Sequence, residues 1–93
     1  MHVTKDPDET LDYVRDWSPA LPTGDTIATS EWIVPDGITK LESGQRVSSH
    51  DDTTTTVWLS GGTARQTYPV VNRVQTTGGR TFDATLHVMI VSR

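Results

Sequence analysis

The side chains able to do chemistry in this 93-residue chain are few and poorly grouped. Its histidines stand apart at His2, His50 and His87, and there is no cysteine to act as nucleophile or thiolate ligand. His50-Asp51-Asp52 sets an imidazole beside two carboxylates, the raw material of a metal site or an acid–base pair. It lacks the i, i+4 helical spacing or the paired ligand sets of such sites, so a polar loop is the expected reading. Asp6, Asp8 and Glu9 could offer oxygens to calcium, but their spacing does not match the twelve-residue loop with its central glycine. Ser60-Gly61-Gly62-Thr63 and Thr77-Gly78-Gly79-Arg80 carry the glycines of a phosphate cradle. Neither leads into a helix, whose N-terminus would supply the donors, and hairpin turns account for both. No Gly-x-Ser-x-Gly elbow occurs, and no serine has a histidine and an acid in a recognisable arrangement. No enzymatic activity, cofactor or metal is expected.

The information lies in the elements that would have to position such residues. Thr54-Thr55-Thr56-Val57-Trp58-Leu59, Tyr68-Pro69-Val70-Val71-Asn72-Arg73-Val74 and Leu86-His87-Val88-Met89-Ile90-Val91 are β-branched and aromatic runs separated by glycine turns. That close spacing is the pattern of a small sandwich or barrel. Alternation puts Val57 and Leu59 on one face of their strand and Thr56 and Trp58 on the other. It likewise groups Tyr68, Val70, Asn72 and Val74, and separates Leu86, Val88 and Ile90 from His87, Met89 and Val91. Pro69, lacking a donor, belongs at an edge or at the start of a ladder.

Earlier in the chain, Leu11, Tyr13 and Trp17 share one face of a strand, with Asp12 and Asp16 opposite. Arg15 spoils that apolar face unless its stem lies along it and its head reaches water. Ser18-Pro19 and Leu21-Pro22 would stop a helix there. Thr26 to Val34 reads as a second strand with Trp32 and Val34 inward, Pro35-Asp36-Gly37 as a turn, and Ile38 to Leu41 as a short third strand. Glu42 to Asp52 is polar, with at least one turn. The expected fold is all-β: an immunoglobulin-like sandwich of about seven short antiparallel strands, with a small closed barrel as runner-up. Residues 1–9 are expected as an extended, loosely held N-terminal arm, and 10–93 as the single domain.

A formal net charge of -4 with scattered basic residues offers no clustered face for duplex nucleic acid. The N-terminus has no apolar core of a secretory signal, and no apolar run approaches membrane-spanning length, so an intracellular product is expected. Trp17 and Trp32 belong in the core, whereas Trp58 and Met89, on outward faces, are candidates for an interaction patch. Arg65 and Arg73, in the second half of the chain, complete the set of candidate interface residues. An alternative reading makes Trp58 and Tyr13 stacking platforms of a carbohydrate- or cell-surface-binding module.

Leu11-Asp12-Tyr13, Asp16-Trp17-Ser18, Gly24-Asp25-Thr26-Ile27 and Trp32-Ile33-Val34-Pro35 form one half of a more specific pattern. Thr55 through Thr63 and Tyr68-Pro69-Val70-Val71-Asn72-Arg73-Val74 form the other. Together they resemble the phage fiber-tail adaptor family from about Lys5 onward. The resemblance implies a non-enzymatic virion protein, made in the host bacterial cytoplasm, joining neck or tail components to fibres or neighbouring virion proteins. It implies partners that are other phage structural proteins, with several copies in a symmetric assembly and neither nucleic acid nor membrane bound. Arg15, and Arg65-Gln66 before Tyr68, depart from the family pattern in ways that bear on the contact surface.

Overall fold

The computed structural model describes residues 1–92; Arg93, the last residue of the expected domain, lies outside the described residues. The chain is all-β and elongated, 42 × 26 × 20 Å. Its strands are β1 (His2–Lys5), β2 (Leu11–Asp16), β3 (Ile27–Ile33), β4 (Ile38–Lys40), β5 (Glu42–Ser43), β6 (Arg46–Val47), β7 (Ser49–His50), β8 (Thr54–Gly61), β9 (Thr67–Thr76) and β10 (Thr81–Ile90). One sheet runs β1-β10-β9-β3. The other runs β2-β8-β4, with β7 also on β8, and β5-β6 is a separate small hairpin. Both main sheets are open, so the closed barrel is excluded: no pairing joins β1 to β3 or β2 to β4.

Alternation builds the core. Val57 and Leu59 of β8 meet Val70, Leu86, Val88 and Ile90 of the facing sheet, with Trp32 and Ile38 completing the cluster. A smaller cluster of Trp17, Ile27 and Val74, with Phe82 packed on it, fills the end nearest the β9–β10 turn. Arg15 keeps its place on the inward face of β2, but its head does not simply turn out to water: the guanidinium lies 4.8 Å over the ring of buried Trp17, and its Nε is covered. Pro69 lies beyond the last β3 pairing, Ile33 with Val71, so its missing donor interrupts no ladder on that side.

Between the sheets runs a buried polar network. Asn72 Oδ1 accepts from Trp17 Nε1 at 2.9 Å and from Thr55 Oγ1 at 2.6 Å, while its Nδ2 donates to Ser30 Oγ and the Glu31 carbonyl, both at 3.0 Å. Trp17 Nε1 also reaches Thr55 Oγ1 at 3.2 Å. One amide thus joins β9 to β3 within its own sheet and to β8 across the core, and every member is satisfied.

The N-terminal segment departs from the loosely held arm. It is extended, but β1 pairs in parallel with β10, from His2 beside His87 to Lys5 beside Ile90. The expected all-antiparallel arrangement is corrected by that one pairing. Lys5 explains the docking: it is fully buried, and its Nζ donates to the Gly61 carbonyl at 2.7 Å and the Asp6 carbonyl at 2.8 Å. Desolvation pushes the Lys5 pKa down, against the opposing pull of Glu9, Asp6 and Asp8. The acidic residues that followed in the calcium reading shape a turn instead. Asp6 N–H donates to Glu9 Oε1 at 2.8 Å, and Asp8 N–H to Asp6 Oδ1 at 2.9 Å. His50 ends the short strand β7, paired with Thr55, and only Asp51-Asp52 forms the expected loop, in which Asp51 accepts from the N–H groups of Thr53 and Thr54.

Gly62 shows why a glycine follows β8. At φ +99° a Cβ there would meet Ile90 Cδ1 at 2.6 Å and Cγ1 at 2.7 Å, and Ile90 is fully buried. Gly62→Ala is expected to destabilise the fold by about 2–4 kcal/mol, combining left-handed backbone cost with overpacking. Gly79, at φ +88° with open space around it, isolates the backbone part. Gly79→Ala should therefore cost only about 1–2 kcal/mol, and urea titrations of the two variants would measure the difference.

Asp25 ties the connection before β3 to the β9–β10 turn. Its carboxylate accepts from the N–H groups of Gly78 (2.9 Å) and Thr26 (3.0 Å), from Thr77 Oγ1 (3.2 Å) and from Arg80 (3.0 Å). Desolvation works to raise its pKa, but hydrogen bonds from the threonine hydroxyls of the turn, the two N–H groups and Arg80 overcome it and hold it at about 2. A carboxyl depressed in the folded state gives stability that is present above its unfolded value of about 3.9 and is lost as pH falls toward 2. Asp25→Asn should therefore lower the melting temperature at pH 7, with the variant and parent curves converging as pH approaches 2.

Candidate interaction surface

The outward face of the β1-β10-β9-β3 sheet presents its side chains in rows fixed by register. At one end, Glu31, Arg73 and Asp83 form a charged row, flanked by Thr29, Gln75 and Thr81. Arg73 grips Asp83 through two bonds, Nε to Oδ1 at 2.8 Å and the second guanidinium nitrogen to Oδ2 at 3.0 Å. Their hydrogen bond and charge raise the arginine pKa and lower that of the aspartate. Arg73 is thus exposed but already engaged.

Toward the other end the same face turns apolar. Exposed Ile33 lies beside Val71, then Pro69 beside His87, with His2 stacked on His87 at 4.8 Å between ring centroids. Met89, 47% exposed, follows with Thr67 and Thr4 at its sides. Beside Met89 a shallow groove of about 370 Å³ is bounded by Arg65, Ala64, Thr67 and Val91. Arg65 is held there by its own backbone, at φ +73° with its N–H donating to the Ile90 carbonyl at 2.9 Å. Its guanidinium forms no ion pair among the described residues. An apolar floor beside an uncommitted cation can receive a segment that carries a carboxylate next to a hydrophobic side chain.

Of the four residues singled out from sequence, Arg65 and Met89 are therefore brought together. Arg73 lies on the same face, in its charged half, and Trp58 on the opposite sheet. Trp58 is half-buried on the outward face of β8, opposite Asp12, and its carbonyl accepts from Leu41 N–H at 3.0 Å. Tyr13, its supposed companion in sugar stacking, points inward and packs on the core, so no aromatic platform forms. Val14 and Ile33, exposed at 51% and 42%, were not singled out. Their signal was available, since Val14 shares its parity with Asp12 and Asp16, and Ile33 adjoins inward Trp32.

Comparison with known proteins completes the picture. The family model described as podophage GP4 fiber-tail adaptor protein gp77 matches residues 5–89. The chain belongs to this fiber-tail adaptor family. The match runs from buried Lys5 to exposed Met89, and so takes in both sheets and the groove's floor. Fiber-tail adaptors are structural components of the phage tail, and this adaptor is accordingly a structural protein of the virion, in contact with other tail or fibre proteins. No curated protein matches the chain.

Proposed function

We propose that the two sheets constitute an immunoglobulin-like β-sandwich that acts as a non-enzymatic adaptor, joining neck or tail components to fibres or neighbouring virion proteins. The observation that carries this reading is the family match over an all-β body of this elongated shape. The two ends of the β9–β10 pair carry different chemistry, which suits a bridge between unlike partners. One end has the Asp25-bound turn and the charged row of Arg73; the other has the Arg65–Met89 groove. The apolar half of the outward sheet face and that groove are the contact surface for another phage structural protein, and the particle's symmetry holds several copies in place. The chain is made in the host bacterial cytoplasm before assembly. Mass spectrometry of purified virions tests the reading: the protein should co-purify at a fixed ratio to the tail proteins, and its absence from particles would remove the proposal.

A further inference from the structure

Two covered donors find no acceptor among the described residues, and their side chains share a cavity. Trp32, only 4% exposed, has no acceptor for its indole Nε1–H, and neither has the covered Nε–H of Arg15. Both side chains line a cavity of about 10 Å³ beside β2, closed in part by Met1, Tyr13 and Val14. Indole N–H and guanidinium can only donate, so the missing group is an acceptor oxygen. The charge of Arg15 narrows it further. That guanidinium lies over the Trp17 ring and forms no ion pair among the described residues, so an anionic oxygen suits it better than a neutral one.

The cavity has room for about one water. A larger group needs its lid to move, and the lid is suited to moving: Met1 is 51% exposed and carries an unbranched, adaptable side chain. The approach is open as well. β2 pairs only with β8, and Val14 at the rim is 51% exposed. An extended segment laid along that edge would turn alternate side chains inward, one of them over the cavity.

We infer that the crevice beneath Met1 is a carboxylate-binding site, in which Arg15 and Trp32 receive the carboxylate of an extended segment from a protein partner. The site requires no particular virion partner, so it stands or fails separately from the adaptor role.

The indole N–H resonances of the isotopically labelled protein read the site directly. Sodium acetate, compared with sodium chloride at equal ionic strength, should shift the Trp32 Nε1–H saturably and leave Trp17, already held by Asn72, in place. A capped five-residue peptide with one central glutamate should do the same at tenfold or more lower concentration if a side-chain carboxylate is the natural occupant. The same peptide with glutamine there and a free C-terminus should win if a chain terminus is. Arg15→Met keeps the apolar stem on Trp17 and should abolish the response; Arg15→Lys, closer to the parent if Met is not tolerated, should weaken it at least tenfold. A Trp32 resonance unmoved by all three probes, shifted equally by chloride, or shifted unchanged in the Arg15 variants, would leave only a hydration site and overturn the inference.

Discussion

Asn72→Leu is expected to destabilise the protein by about 2–5 kcal/mol, the largest effect of any single polar substitution in the chain. Asn72 is 1% exposed and serves four partners at once. Leucine leaves the buried Thr55 O–H without its acceptor, takes one donor from the part-buried Glu31 carbonyl, and leaves Trp17 Nε1 with only its longer contact to the Thr55 oxygen. Each stranded buried group costs about 1–3 kcal/mol, because water is not there to replace the lost partner. For a domain this small that corresponds to a fall of roughly 10–25 °C in melting temperature. Thr55→Val removes one member and leaves the Trp17–Asn72 bond in place, so about 1 kcal/mol is expected. Urea titrations of both variants, with unchanged slope, would measure the difference. A leucine variant as stable as the parent would show that the network sets the registry of the two sheets without holding them together.

The second large effect concerns assembly. Arg65→Glu combined with Met89→Asp should leave folding nearly untouched, since both side chains are exposed and surface substitutions shift stability by about 0.5 kcal/mol or less. The same pair places two negative charges on the groove where an acidic, apolar segment is proposed to sit. Burying an unpaired charge at a contact costs several kcal/mol, so incorporation into particles should fall on the order of 100-fold or more. Trp58→Ala, on the opposite sheet, provides the contrast and should reduce incorporation less. Quantitative mass spectrometry of virions assembled with each variant separates the two surfaces. Equal incorporation of the double variant and the parent would move the contact away from this groove.

Much of this architecture was legible in the residues, and the exceptions have physical reasons. β8, β9 and β10 follow from two-residue alternation, which also sent Asn72 and both core tryptophans inward. Alternation cannot reveal which buried polar groups will pair, and Trp17 and Asn72 lie 55 residues apart. The N-terminal strand escaped because a lysine in a short polar run reads as surface. Lys5 is buried only because the Gly61 and Asp6 carbonyls converge on its amine, and neither its own neighbours nor its charge announces that. The polar stretch after Lys40 concealed a different device. β4 and β7 cover the two ends of one edge of β8, and the β5-β6 hairpin leaves the sheet between them. Arg65 was singled out as a departure from a family pattern. Its nearness to Met89 comes from the bond between its N–H and the Ile90 carbonyl, a feature of the folded chain alone.

The most direct test of the adaptor role is an electron-microscopy map of the assembled tail at a resolution that shows strands. The account predicts this two-sheet body between a tail component and a fibre or neighbouring virion protein, with Arg65, Met89 and the apolar half of the β1-β10-β9-β3 face covered by the partner. Density for the protein with that face open to solvent, or contacting a single partner through the β2-β8 side only, would contradict it.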